Sequence, residues 1–356
     1  MGQEASTESF DPSIPPRKLA GRNLAAIAEY IKKCEKVVFM VGAGISTAAG
    51  IPDFRSPETG LYSNLARLEL PRPEAVFDIC YFREDPRPFY ALAQELWPGK
   101  YKPTLTHIFM RMFSTHSKLL RVFTQNIDTL ELAAGIPREQ IVFAHGSFAG
   151  QHCIECKKEY DRVELEDHVR KAEPAFCECG GLVKPDITFF GEALPAEFHE
   201  SLDLVEEADL VVVMGSSLSV YPFAALPQRV LDDTPRLLIN MEKVGEIGSR
   251  REDVVWLGEC DDGVRELAEN LGWWEEMEAI WKESRGDMDL AEPVLNDDTL
   301  EDEVNRLTKQ VADVLNVADE HNKRVLTKLQ QEQKKAEEKK EVAEEKVEAE
   351  VEEKRD

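Results

Sequence analysis

From Lys36 to about Trp274 the chain alternates short apolar runs with stretches of helical periodicity. That alternation predicts parallel strands joined by crossover helices. Six runs carry the pattern: Val37–Val41, Leu119–Thr124, Ile141–Ala144, Leu210–Met214, Leu237–Ile239 and Val254–Leu257. Each ends in a polar or glycine cluster. These are Gly42-Ala43-Gly44, Gln125-Asn126-Ile127-Asp128, His145-Gly146, Gly215-Ser216-Ser217, Asn240-Met241-Glu242 and Gly258-Glu259-Cys260-Asp261. In an open parallel sheet, ligands bind outside the carboxyl ends of the strands. Six such clusters in register predict one crevice shaped for a large, polar, nucleotide-sized ligand.

The flanks differ from this body. Residues 1–18 are polar and carry Pro12, Pro15 and Pro16, the pattern of a flexible N-terminal leader. Leu19 to Lys33 has helical periodicity. Residues about 148–186 are charged, cysteine-bearing and without long apolar strands, so they predict a small inserted module. After Lys282 the composition shifts, and residues 283–356 form a charged C-terminal tail. Within it, Leu300 to Arg324 is an amphipathic helix candidate, and Gln330 to Asp356 predicts a solvated helix or disorder. Leu307, Val311, Leu315 and Val317 fit one side of a helix, and equally the loose spacing of a leucine-rich nuclear export signal. The expected fold class is α/β: a Rossmann-like parallel sheet over 19–282 with a smaller module inserted, plus a helical or disordered tail.

Composition narrows the function classes. The 356 residues suffice for one large domain or two, with 42% hydrophobic content. The net charge of −26 repels phosphate backbones, so direct nucleic-acid binding is not expected, and lysine-rich partners suit it better. No apolar run reaches the roughly 18 residues needed to span a bilayer. Met1-Gly2-Gln3-Glu4-Ala5-Ser6 fits the myristoylation pattern, which would give a weak, reversible lipid anchor at Gly2. Of the seven cysteines, four group as Cys153-x2-Cys156 and, twenty residues on, Cys177-x-Cys179. Four thiolates at this density suit a closed tetrahedral zinc. Cys34 and Cys80 are expected in the core.

The glycine loop after the first run is the turn of a dinucleotide site, where bare amides and a helix start meet a pyrophosphate. Glycines also serve tight strand-to-helix turns for steric reasons alone. A dehydrogenase is disfavoured, because Thr47 stands where the third glycine of that fingerprint belongs.

Several long motifs, in order, resemble the sirtuins, the NAD-dependent protein lysine deacylases. They are Gly42-Ala43-Gly44-Ile45-Ser46, Gly50-Ile51-Pro52-Asp53-Phe54-Arg55, Thr124-Gln125-Asn126-Ile127-Asp128, His145-Gly146, the cysteine group, Val183-Lys184-Pro185-Asp186, Phe189-Phe190-Gly191-Glu192 and Gly215-Ser216-Ser217-Leu218. The resemblance runs from about Arg17 to Trp274 and is nearest to the cytosolic fungal and animal class I branch. It implies a cytoplasmic protein able to shuttle to the nucleus, NAD and zinc as cofactors, and acetyl-lysine protein substrates, histones among them.

The resemblance also implies roles. Gly42, Ala43, Gly44, Ile45, Ser46 and Thr47 would line the dinucleotide site. Asp53, Phe54 and Arg55 would form a lid over the nicotinamide ribose. Gln125, Asn126, Ile127 and Asp128 would meet nicotinamide and ribose, with Asn126 orienting a water and Asp128 binding the carboxamide. Gly215, Ser216, Ser217, Asn240, Met241 and Glu242 would hold the adenosine half, with Cys260 and Asp261 by the adenine. Phe54, Thr188, Phe189, Phe190, Gly191 and Glu192 would form the peptide cleft, where a strand pairs with substrate backbone. The acyl oxygen attacks the anomeric carbon as nicotinamide leaves. His145 then deprotonates a ribose hydroxyl, giving free lysine and O-acyl-ADP-ribose. The remaining histidines, His107 among them, are assigned surface or structural places. Sirtuins preferring acidic acyl groups carry Tyr and Arg three apart at the tunnel end. Here Tyr90-Ala91-Leu92-Ala93 lacks the arginine, so acetyl or long apolar chains are favoured over succinyl. Two departures stand out: one residue instead of two between Cys177 and Cys179, and Thr188 where an aliphatic residue is usual. Rival readings are mono-ADP-ribosyl transfer in the same pocket and a non-catalytic NAD or acyl-peptide sensor.

Overall fold

A computed structural model describes residues 14–52 and 70–285. The six apolar runs are strands: β1 (Val37–Val41), β2 (Leu119–Thr124), β3 (Ile141–Phe143), β6 (Leu210–Met214), β7 (Arg236–Asn240) and β8 (Asp253–Leu257). They form one parallel sheet in the order β3-β2-β1-β6-β7-β8. The chain builds outward from β1 to β3 on one side, then crosses back and builds from β6 to β8 on the other. The order reverses between β1 and β6, and that is where such sheets open a ligand crevice.

The sheet is buried because both faces are covered. Val37, Phe39 and Val41 point to one side and meet helices Leu24–Ile31, Leu105–Thr115 and Cys260–Leu271. Phe39 packs edge-on against Phe113 with centroids 4.9 Å apart. Val38 and Met40 point to the other side and join Val211, Val213, Phe198 and Phe223. The period-two alternation of β1 thus serves two cores at once.

The inserted module is a two-stranded antiparallel ribbon, β4 (Gly146–Cys153) and β5 (Val183–Ile187), with helix Arg162–Arg170 between them. A third core of Phe77, Phe82, Phe89, Tyr90 and Phe189 lies beside it. Tyr90 is fully buried there. Its hydroxyl donates to Val183 O at 2.7 Å and accepts from Ala175 N at 3.0 Å. The tyrosine is therefore a strut under the ribbon.

Other expectations shift for local reasons. The helix expected over Leu19–Lys33 shortens to Leu24–Ile31, because the Asn23 side chain accepts from Ala26 N at 2.9 Å and caps it. Of the leader, residues 14–18 are tied down. The Glu252 carboxylate accepts from the amides of Arg17 and Lys18 at 2.6 and 3.1 Å, and Arg251 Nε donates to Pro15 O at 2.7 Å. These partners lie more than 230 residues away in sequence, beyond the reach of any local pattern. Cys34 is buried as expected, but Cys80 is exposed in the first turn of helix Ile79–Glu84. Strands β7 and β8 each begin one residue earlier than their apolar runs, with Arg236 and Asp253. The two side chains form a fully buried bidentate pair at 2.8 and 2.7 Å. Gly2, the rest of the leader, Asp53-Phe54-Arg55 and the tail segments all lie outside the described residues, and no described helix is long and apolar enough to cross a membrane.

Candidate active site

Contacts among the strand ends begin with glycines. Gly42 N donates to Met214 O at 3.2 Å, and Gly44 N donates to Gly215 O at 2.8 Å. A Cβ on Gly44 would sit 2.8 Å from Gly215 Cα, and one on Gly215 would sit 2.5 Å from Ile45 N. The β1 and β6 loops therefore interlock backbone to backbone, and the glycines are needed before any ligand arrives. No α-helix follows β1 directly. Two short 3-10 turns, Ala43–Ile45 and Thr47–Ala49, take its place, so the expected helix start is absent. No α-helix N-terminus directly after β1 is then available to meet an anion, and side chains must do more of the binding.

They form a directed chain. Asn126 Nδ2 donates to Gly42 O at 3.2 Å and lies 3.3 Å from Ser46 Oγ. Ser46 Oγ donates to Asp128 Oδ2 at 2.7 Å, while Asp128 Oδ1 accepts from Leu130 N at 2.9 Å. Ser46 and Asn126 are buried. Together with Ala43, Ile51, Pro52, Leu96 and Ile127, these groups line one pocket. Its exposed lining is almost wholly apolar, and the Asn126 amide, Ser46 hydroxyl and Asp128 carboxylate belong to lining residues. Such groups can hold a planar carboxamide by complementary hydrogen bonds.

His145 follows β3. Its Nδ1 lies 3.1 Å from Gln125 O. A carbonyl can only accept, so Nδ1 carries the proton and Nε2 keeps the lone pair. Nε2 is buried without a hydrogen-bond partner among the described residues. Burial pushes the imidazole below its ordinary value, the Gln125 carbonyl opposing this, so the ring stays neutral. The next residue, Gly146, has φ +66, and a Cβ there would fall 1.8 Å from Asp186 O. Only glycine lets the chain turn from the sheet into β4 at this point.

Gln125 also reaches the end of β6: its Oε1 accepts from Ser216 Oγ at 2.6 Å. Ser217 is exposed, Asn240 Nδ2 donates to Glu242 O at 2.8 Å, and Met241 and Glu242 project from the end of β7. Cys260 is buried, and its thiol is pushed up to about 12, chiefly by that burial. Asp261 accepts from Thr106 N and Thr106 Oγ1 at 2.9 and 2.6 Å and holds the start of helix Leu105–Thr115.

The peptide-cleft segment divides. Phe190 is exposed, but its N–H donates to Phe77 O at 2.7 Å and its carbonyl accepts from Ile79 N at 3.2 Å. Thr188 N donates to His145 O at 2.8 Å. Phe189 is buried with the Lys184 ammonium 4.5 Å from its ring centre, and Glu192 pairs with Lys184 at 3.0 Å. Phe189 and Glu192 thus shape the segment from within.

The four cysteine sulfurs converge. Cys153 and Cys179 Sγ lie 3.5 Å apart, Cys156 and Cys177 Sγ 3.6 Å apart, and all four fall within 4.8 Å of one another. A tetrahedral zinc with Zn–S bonds of about 2.3 Å would separate its sulfurs by about 3.8 Å. The set fits zinc. The single residue between Cys177 and Cys179 is accommodated by the turn through Gly180 and Gly181, where Cys177 N donates to Gly181 O at 2.8 Å.

Sequence reasoning missed two residues behind the pocket. His107 and Glu131 are fully buried, and with Asp128 they offer atoms within 4.8 Å of one another. The signals were there in the capping-box spacing Thr104-x-x-His107 and the Asp128-x-x-Glu131 spacing at a helix start.

Comparison with known proteins places this geometry. The family model described as "Sir2 family" matches residues 42–222. The chain is 52% identical over 338 residues, 93% of each chain, to the NAD-dependent protein deacetylase hst2-1 of Emericella nidulans. It is 49% identical to NAD-dependent protein deacetylase hst2 of Schizosaccharomyces pombe, over 73% of this chain and 80% of that one. It is 48% identical to NAD-dependent protein deacetylase sirtuin-2 of Danio rerio, over 73% and 74%. With its strand-end glycines, its histidine and its cysteine set held as the geometry describes, this chain belongs to the Sir2 family.

Proposed function

We propose that the protein is an NAD-dependent protein lysine deacetylase in which His145 is the general base. The observation that carries this reading is the tautomer of His145, with a neutral, unpartnered Nε2 at the end of β3. A group that only read acylated peptides would need no such base. When bound, NAD supplies the glycosidic bond to nicotinamide that breaks and the ADP-ribose that receives the acyl group. Asn126, Ser46 and Asp128 hold the nicotinamide end, Asp128 by accepting from the carboxamide. Gln125 and Ser216 separate this end from the adenosine half, which Ser217, Asn240, Met241 and Glu242 receive. His145 takes the ribose hydroxyl proton on Nε2 while its Nδ1–H stays on Gln125 O. The four cysteines hold zinc, which keeps the β4–β5 ribbon folded and takes no part in the reaction.

Finer readings rest on less. The net charge of −26 suits lysine-rich acetylated segments such as histone tails. Residence in the cytoplasm with passage to the nucleus follows from the class I resemblance and the Leu307–Val317 spacing. Attachment at Gly2 follows from the myristoylation pattern, and mass spectrometry of the native N-terminus tests it. The decisive experiment measures nicotinamide release from NAD with an acetyl-lysine peptide. It should need the peptide, yield O-acyl-ADP-ribose, and collapse in His145→Ala. Product formation unaffected by that substitution would sink the assignment.

A further inference from the structure

His107, Asp128 and Glu131 meet behind the nicotinamide pocket, and their hydrogen bonds are unequal. Both oxygens of Asp128 accept, one from Ser46 Oγ and one from Leu130 N. Burial raises the Asp128 carboxyl, but these two donors oppose it and favour its anion over that of Glu131, which has no such donors. Neither oxygen of Glu131 has a hydrogen-bond partner among the described residues, although the residue is fully buried. The Thr124 hydroxyl and the residue's own amide lie near enough to favour the anion, although neither meets hydrogen-bond geometry. An unpartnered buried carboxylate is costly, whereas a protonated acid beside a carboxylate can donate to it.

His107 is no counter-charge. Thr104 N lies 3.3 Å from its Nδ1 and Thr104 Oγ1 lies 2.8 Å away. The Thr104 hydroxyl also donates to Ile45 O at 2.9 Å, so the proton between Oγ1 and Nδ1 depends on where that hydroxyl points. Burial holds the ring neutral, down to about 3. Among the described residues, no cation is recorded acting on Glu131. Arg111, one turn along the same helix, donates to Ala134 O at 3.2 Å, and Ser46 and Thr104 are uncharged.

We propose that Glu131 holds a proton in a buried acid pair with Asp128, walled by neutral His107, and so keeps the cluster's single negative charge on Asp128. Glu131 and His107 are positioning residues: they act on the carboxamide through Asp128. The inference rests on the placement of nicotinamide at Asp128. Burial, and then the charge of Asp128, raise the Glu131 carboxyl to about 8, in line with the hydrogen-bond pattern. Ionising Glu131 would set two charges within 4.8 Å of each other in a buried site. Relief comes by drawing Asp128 away from Ser46, and the carboxamide site loses its acceptor.

The test has two arms on the full chain. The first titrates the side-chain carboxyl 13C resonances of glutamate-labelled wild type. One glutamate should keep its protonated shift up to about pH 8; if every glutamate titrates in the ordinary range near 4.3, the proposal fails. This arm needs no variant and does not depend on where nicotinamide binds. The second measures nicotinamide exchange into NAD across the same pH range. Wild type should lose exchange as pH rises through about 8, and Glu131→Gln, which cannot ionise, should show no such decline. The same decline in both overturns the proposal, as does a second metal ion per chain that His107→Gln removes. Asp128→Asn separates the two readings. If it exchanges as wild type does, the nicotinamide placement fails, whatever the carboxyl titration shows.

Discussion

Gln125 and His145 are joined by a 3.1 Å contact from the histidine Nδ1 to the backbone carbonyl of Gln125. The contact ties the end of β2 to the end of β3 and selects one tautomer. Because the carbonyl belongs to the backbone, no side-chain substitution can remove it, and the basic nitrogen always faces away from it.

This sets a pH dependence. Burial lowers the folded-state value of His145, so the neutral ring persists below the ordinary histidine value near 6.5. The rate constant for deacetylation should therefore be flat through neutral pH and fall only below that ordinary value. His145→Ala should cost roughly 10²–10⁴-fold, the usual worth of a positioned base. An acid limb at or above the ordinary value in wild type would count against the assigned environment.

The buried pair Glu131 and His107 gives opposite stability slopes. Burial, and then the charge of Asp128, raise Glu131 from its ordinary 4.5 to about 8 in the fold, so the folded chain binds the extra proton between them. Stability from this group is full below 4.5 and is lost as pH rises towards about 8. His107 runs the other way: lowered from 6.5 to about 3, it leaves the unfolded chain binding more protons, so stability falls as pH drops below 6.5. Denaturant melts across pH should show a maximum between the two. Glu131→Gln should flatten the alkaline side alone.

The cysteine set predicts one zinc per chain. Replacing Cys153 or Cys177 by Ser should release it and lower Tm, because metal affinity is coupled to folding of the ribbon. Metal analysis of the purified chain and a thermal melt with and without chelator check this. Undiminished zinc in both variants would refute the four-thiolate site.

Gly146→Ala should be among the most damaging small substitutions. Its Cβ would fall 1.8 Å from Asp186 O at a φ of +66, where steric overlap and backbone strain coincide. A loss of about 3 kcal/mol or more is expected. Since His145 is the preceding residue, activity should fall further than stability explains. Gly99→Ala, at φ +98 with open space around the added carbon, gives the control for strain without collision.

What the sequence determined by itself was local. Periodicity marked the strands nearly to the residue, since a strand buried on both faces needs a continuous apolar run. Short spacings disclosed the cysteine set, and the polar strand ends announced a crevice that the order β3-β2-β1-β6-β7-β8 then assembled. The motifs around Gly42, Asn126 and His145 carried the family. The tertiary structure decided whatever depends on residues distant in the chain. Gly44 is required by Gly215, and Asp261 serves Thr106. Tyr90 was committed to Val183 and Ala175, and the end of the leader to Glu252. His107 looked unremarkable in sequence, because its burial beside Glu131 depends on how helix Leu105–Thr115 meets the loop after β2. The reason is common to all these cases. Hydrophobic burial leaves a periodic trace along the chain, whereas a hydrogen bond, a collision or a desolvated charge exists only between groups that folding has brought together.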